Sequence, residues 1–233
     1  MMSNPLPQLN PQEESLELLV PDRHRSVGLI KDFIPIRGIL PLIPAKTAKI
    51  KEEGVQIWIE RNYGSHASYT DLDFADAGGD ILEDSFSVIQ NSDILLKLEP
   101  FTLEEVGFLK PNQVIVSSLD ISSLTKECFT IMKAKKITAF ALDFIEDIDG
   151  NSILHDIFYR EETPVGITVS LSNLTLPILL ALALSSNLRG SIQTNPVLFQ
   201  SLYCYNGEIT KKEVAGKLDL PWKDFLSWYW NLN

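Results

Sequence analysis

The chain has 233 residues, with 31 acidic side chains against 20 Lys and Arg, a formal net charge of -11 at pH 7 and an isoelectric point near 4.7. That length suits one domain or two small ones, and 45% hydrophobic residues supply a sizeable core, which excludes a disordered acidic tail. The negative balance repels phosphate backbones and anionic headgroups, so nucleic acid and acidic membranes are poor partners.

The amino terminus, Met1 to Leu19, carries three prolines and several acids. It has no basic stretch followed by an apolar one, so no secretory signal is expected and a cytoplasmic location follows. Apolar clusters at Ser26–Ile30, Val55–Ile59, Ile94–Leu98, Val114–Ser117 and Ile137–Leu142 predict short buried strands. Helical patterns lie between them, at Pro44–Glu53 before Gly54, Asp71–Ala77 before Gly78, Ser85–Ile89 and Ser122–Lys136. This alternation predicts an α/β fold, a parallel-sheet three-layer sandwich of the flavodoxin or Rossmann-like type.

From Thr163 to Leu188 no side chain is charged, but Thr168, Ser170, Ser172, Asn173, Thr175 and Pro177 interrupt the run. Its continuous apolar part is shorter than the roughly 20 residues a membrane span needs, so a buried helix is expected and no membrane partner. A helix-like run follows from Pro196 to Tyr205, then two short helices, Thr210–Leu218 and Pro221–Tyr229. Thr210 and Glu213 have capping-box spacing. Trp222, Trp228 and Trp230 are expected to fasten the tail to the core or to a second subunit. The organisation expected is an arm, residues 1–25, an α/β domain, residues 26–190, completed by a long helix over 167–189, and a helical extension, residues 191–233.

Several chemistries lack their residues. No two of the twelve glycines are separated by a single residue, so GxGxxG cannot occur, and GxSxG is missing too. No cofactor is expected. Cys128 and Cys204 have no CxxC spacing, and His24, His66 and His155 have no metal-ligand spacing, so no metal is expected. The carboxylates Glu146, Asp147 and Asp149 before Gly150 read as an Asp-Gly turn rather than a calcium loop.

Pro11–Glu14, Val27–Asp32 and Gly64, His66, Tyr69, Asp71 and Asp73 together resemble the amino-terminal substrate domain of alanine dehydrogenase and pyridine nucleotide transhydrogenase. Pro11–Glu14 is similar to the extended arm of bacterial alanine dehydrogenases, and Val27–Asp32 to the family's opening strand and turn, although Ile30 stands where proline is usual. Glu60–Phe74, with Gly64, His66, Tyr69, Asp71 and Asp73 in register, resembles a glycine-rich bend before Phe-Ser-Asp-x-Asp-Tyr. Ala77–Gly79, Leu95–Pro100, Thr102–Glu105 and Lys110–Gln113 match further segments. Leu171–Asn173, Pro177–Leu180 and Tyr203–Asp224 resemble the family's last segment rather than its middle. The resemblance therefore implies that the NAD-binding domain is missing, with a junction near Asp149–Ile153.

It also implies a pocket holding a keto-acid carboxylate with an arginine and a lysine, and a histidine as acid and base. Counted without gaps, the arginine position is Ile39, the second lysine becomes Glu99 with the first kept as Lys97, and the histidine position is Asp120. No catalytic residue is then expected. Arg37, Lys97, Glu99 and Asp120 remain as a candidate vestigial ligand pocket, in which Lys97 pairs with Glu99.

The reading that follows is a catalytically inactive relative, a pseudoenzyme serving as a binding, regulatory or assembly module. It would form a homo-oligomer, a dimer being favoured, or associate with a full-length dehydrogenase paralogue. Alternatives are a sensor for a small amino acid or keto acid, the substrate-domain subunit of a split oxidoreductase, and a helix-turn-helix DNA binder over Thr210–Tyr229. The last offers mostly aromatics where base-reading side chains are needed.

Overall fold

A computed structural model describes residues 24–33, 38–121, 124–160 and 163–227. The elements run β1 (Val27–Leu29), α1 (Pro44–Glu52), β2 (Ile57–Glu60), α2 (Asp71–Asp76), β3 (Asp80–Leu82), α3 (Ser85–Asn91), β4 (Ile94–Leu96), α4 (Leu103–Phe108), β5 (Val114–Ser117), α5 (Lys126–Ala134) and β6 (Thr138–Ala141). Then come α6 (Ile153–Arg160), α7 (Pro164–Ala183), α8 (Leu188–Thr194), α9 (Pro196–Ser201), β7 (Leu202–Tyr205), β8 (Glu208–Ile209) and α10 (Lys212–Leu218).

The strands form one eight-stranded sheet in the order β3-β2-β1-β4-β5-β6-β7-β8. The first six pair in parallel and the last two add antiparallel. Because a strand points alternate side chains to opposite faces, the central strands feed two cores. Ile94, Leu96, Val114, Val116 and Phe140 face the layer holding Ile50 of α1 and Leu171, Leu179 and Leu182 of α7. Leu95, Ile115, Ala139 and Ala141 face the layer holding Val88 of α3, Phe129 of α5 and Val214 of α10. The expected α/β sandwich is the fold observed.

One glycine permits this layering at its tightest point. A Cβ on Gly28, in the middle of β1, would stand 2.2 Å from Ser92 Oγ and 2.7 Å from Val88 Cγ1, so α3 approaches the strand closely at a residue without a side chain.

Most of the uncharged run forms one 20-residue helix, α7, with Thr163 as N-cap and Pro164 in its first turn, but it stops at Ala183 rather than at 189, and Asn187 caps a separate helix, α8. Helix α7 is long and apolar enough to cross a membrane by length and composition, and 44% of its most apolar window is buried in this domain. Two of the polar residues that interrupt it have partners in the domain: the Leu40 N–H donates to Thr168 Oγ1 at 3.2 Å, and Thr175 Oγ1 donates to Pro41 O at 2.5 Å. Arg25 closes its carboxyl end, with the backbone N–H on Ala183 O at 3.0 Å and the guanidinium on Leu182 O and Ser185 O. A cation there also complements the helix dipole.

The tail departs from the helical expectation. The run Pro196–Tyr205 divides after Ser201, and its second half becomes β7, pairing with β6 through Ala139–Cys204 and Phe140–Leu202. The apolar spacing there suits either structure, and the unpaired edge of β6 selects the strand. Asn206 and Gly207, at φ 54° and 82°, turn the chain into β8. The capping box at Thr210 does not form: Thr210 Oγ1 donates to Leu202 O at 3.1 Å, and the N-cap of α10 is Lys211. Pro221–Ser227 contains no α-helix, so the second half of a helix-turn-helix is missing over those residues. Phe225 fastens the tail instead, 4.9 Å from the Tyr205 ring, whereas Trp222 is 39% exposed and lies under Lys212. Trp228 and Trp230 lie outside the described residues.

Candidate functional site

In an open α/β sheet, ligands bind beyond the carboxyl ends of the strands where the strand order reverses. Here that point lies between β1 and β4, and both following turns are charged. Asp32, in the turn after β1, accepts from the Leu98 and Glu99 N–H groups of the turn after β4 at 3.1 and 2.8 Å. In return the Phe33 N–H donates to Glu99 Oε2 at 2.8 Å. Lys31 is tied to Glu60 at the end of β2 by its backbone N–H, at 3.0 Å, and by its ammonium group, at 3.1 Å. The two turns are thus stitched together by side chains that fill the crevice.

Burial costs the Asp32 carboxylate its hydration, and this dominates over its two backbone hydrogen bonds. Its pKa is pushed up to about 6, with Glu99 adding repulsion and Lys97 opposing it. Among the described residues the fully buried Tyr63 hydroxyl meets no partner within hydrogen-bonding geometry, and burial, then the Asp32 charge, raises its pKa well above the usual value, with the Leu42 backbone opposing.

Lys97 is 1% exposed. It follows β4 directly and points to the Leu95 side of the sheet, away from Leu96 and Leu98, as alternation requires. Its main partner is Glu105, at 2.8 and 3.0 Å to the two carboxylate oxygens, with Glu99 at 4.0 Å. The expected pair with Glu99 is therefore secondary. Glu105 is the third residue of α4, and its carboxylate also accepts from the Thr102 N–H at 2.8 Å in a capping box with that residue. One side chain thus starts the helix and neutralises the buried lysine, a double role that needs the strand end and helix start to meet in space.

The other candidate positions are separated. Ile39 is fully buried in the α7-side core, and its carbonyl lies 3.3 Å from His66 Nε2. Asp120 is exposed after β5, close enough to Asp143 to raise the latter's pKa. Arg37 lies outside the described residues. The β1 turn, Ile30–Phe33, has no glycine and presents Asp32 to the crevice. It does not fit a dinucleotide pyrophosphate, which needs close backbone approach and no resident anion.

A cavity of about 390 Å³ opens beside the crevice, lined by Leu98, Ser118, Asp143, Ser152, Leu154, His155 and Phe158. Its far wall is α6, which sequence patterning did not predict. The Asp147 carboxylate organises the preceding turn, accepting from the Asp149 and Asn151 N–H groups at 2.9 Å, with Gly150 at φ 81°. This is the expected Asp-Gly turn. Ser152 then donates to Asp143 O at 3.1 Å, and His155 stacks on Tyr159 with centroids 4.9 Å apart.

A profile of the family described as "Alanine dehydrogenase/PNT, N-terminal domain" matches residues 39–155, half of the chain. The chain belongs to this family. It is 25% identical over 109 residues to the alanine dehydrogenase of Mycobacterium tuberculosis (strain ATCC 25618 / H37Rv), a match covering 47% of this chain and 29% of that protein. It is 24% identical over 111 residues to an NAD(P) transhydrogenase alpha subunit of Rickettsia prowazekii (strain Madrid E), covering 46% of this chain and 29% of that one. A solved L-alanine dehydrogenase overlaps 57% of this chain and 36% of its own, with 19% identity and a TM-score of 0.49. The alanine dehydrogenase/PNT match spans β2 to β6, so it includes Glu60, Leu98 and Glu99 of the crevice but not the β1 turn, and it ends at His155 in the cavity wall.

Proposed function

We propose that this alanine dehydrogenase/PNT-type domain does not carry out hydride transfer and serves as a binding, regulatory or assembly module. The observation that carries this reading is that the family's lysine position is Glu99, a carboxylate that accepts from the Phe33 N–H, and that the retained Lys97 does not replace it. A lysine that grips a substrate carboxylate must offer its ammonium group to the crevice, whereas this one is sequestered on Glu105. Ile39 in the core cannot pair with a carboxylate, and Asp120 in the histidine position carries the same charge as the substrate would. The crevice itself holds Asp32 rather than space for an anion.

In this reading the protein works in the cytoplasm as a homo-oligomer, a dimer being favoured, or beside a full-length dehydrogenase of its own family. Titration with NADH should give no saturable change in nicotinamide fluorescence, and mixtures of alanine with NAD, or of pyruvate, ammonium and NADH, should show no turnover. A saturable micromolar response, or measurable turnover, would refute the proposal. Light scattering on the purified chain tests the assembly, and a mass of one chain at every concentration would remove the homo-oligomer.

The cavity beside the crevice supports a second reading, a sensor of a small amino acid or keto acid. Its volume lies within the range of small-molecule sites, roughly 300–1,000 Å³. A thermal-shift screen of amino acids and keto acids that stabilises the protein with none of them would remove this reading.

A further inference from the structure

The cavity combines a half-buried carboxylate, Asp143, with three apolar side chains, and its described lining holds no lysine or arginine; His155, stacked on Tyr159, is the titratable base among them. We propose that the cavity binds a small primary ammonium ion with an apolar tail and no carboxylate of its own. The inference keeps the sensor reading's cavity and replaces its ligand class, because it inverts the charge of the ligand that the family resemblance implies.

Asp143 supplies the counter-charge. The Leu119 N–H donates to its Oδ2 at 2.5 Å, which fixes the carboxylate against the end of β5. Loss of hydration and the neighbouring Asp120 both disfavour its charged form. A cation in the cavity relieves both effects, whereas a carboxylate ligand would add a third negative charge.

An ammonium group has three donors and no acceptor. The lining supplies acceptors at Asp143 and at the Ser118 and Ser152 hydroxyls; Ser152 spends its proton on Asp143 O and accepts from the His155 N–H at 3.4 Å, which leaves its second lone pair. Leu98, Leu154 and Phe158 offer the tail a dry surface. The walls come from the ends of β4 to β6 and from α6, which begins at Ile153.

The test uses n-butylamine and its anionic counterpart butyrate as probes, followed by two-dimensional amide spectra of the full chain. Butylamine should give saturable shifts centred on Ser118, Leu119, Asp143 and residues 152–158, and butyrate should give none. Asp143→Asn retains an acceptor for the Leu119 N–H and removes the charge, and it should weaken butylamine at least tenfold. Equal binding of butyrate, or amine shifts scattered over the acidic surface, would overturn the proposal on the wild-type protein alone, whatever the stability of the variant. Binding of alanine, lysine or pyruvate without butylamine would overturn it and leave the sensor reading standing. Silence from every probe would remove both.

Discussion

Replacing Asp32 by asparagine isolates the electrostatic cost of the crevice. In the native fold this carboxyl has a pKa of about 6 against 3.8 when unhindered, mainly because it is buried. The shift of about two units, at 1.36 kcal/mol each, makes ionised Asp32 cost up to about 3 kcal/mol. Since the folded value is the raised one, the protonated carboxyl contributes its full stability below about pH 4. That contribution is lost as pH rises through about 6. The substituted amide would keep an oxygen for the Leu98 and Glu99 N–H groups and carry no charge, although its own N–H groups need a partner, at a cost of about 1–3 kcal/mol if unmet. The Asp32→Asn variant should therefore match or exceed the wild type by about 1–3 kcal/mol at pH 8, with the advantage shrinking towards pH 4. Urea unfolding of both proteins at half-unit steps from pH 4 to pH 8 measures this difference and cancels the other carboxylates. A variant less stable at pH 8, or a difference that does not change with pH, would refute the assignment of burial as the dominant cause.

Glu105→Gln retains an oxygen for the Thr102 N–H and strands the buried Lys97 charge 4.0 Å from Glu99. It should cost about 2–4 kcal/mol by chemical denaturation, whereas Lys97→Met, which fills the same space without charge, should cost less or nothing. Gly207→Ala places a Cβ 2.5 Å from Lys133 Cα at a residue with φ 82°, so it should lower stability by at least about 2 kcal/mol. A melting temperature within about two degrees of the wild type would show that β7 and β8 do not depend on this turn.

How far the candidate site was legible depends on range in the sequence. The alternation of Lys97 against Leu96 and Leu98 follows from the period of a strand and gives the direction of the side chain. The partner did not follow, because Glu105 is brought over Lys97 by the angle between β4 and α4, a relation no periodicity encodes. The same holds for Asp32. Its position after an apolar strand was readable, but its capture by two N–H groups of another turn requires β1 and β4, 67 residues apart at Val27 and Ile94, to be neighbours. Asp143 and His155 carried no pattern of their own, and a shared cavity became visible only once α6 had closed over β6.

The apolar spacing alone determined the parallel α/β core, since β1, β4, β5 and β6 are continuous buried runs and such runs need helices on both faces. Gly54 and Gly78, at positive φ, stop α1 and α2, whereas α5 and α10 end at Lys136 and Asp219 in the same left-handed conformation. Competition for a sheet edge decided the rest: the segment Leu202–Tyr205 suits helix or strand equally, and only the open side of β6, with Gly207 packed against α5, made it a strand. The charges that fill the crevice are decided in the same way, because the energy of a carboxylate depends on which distant backbone groups and cations the fold places around it.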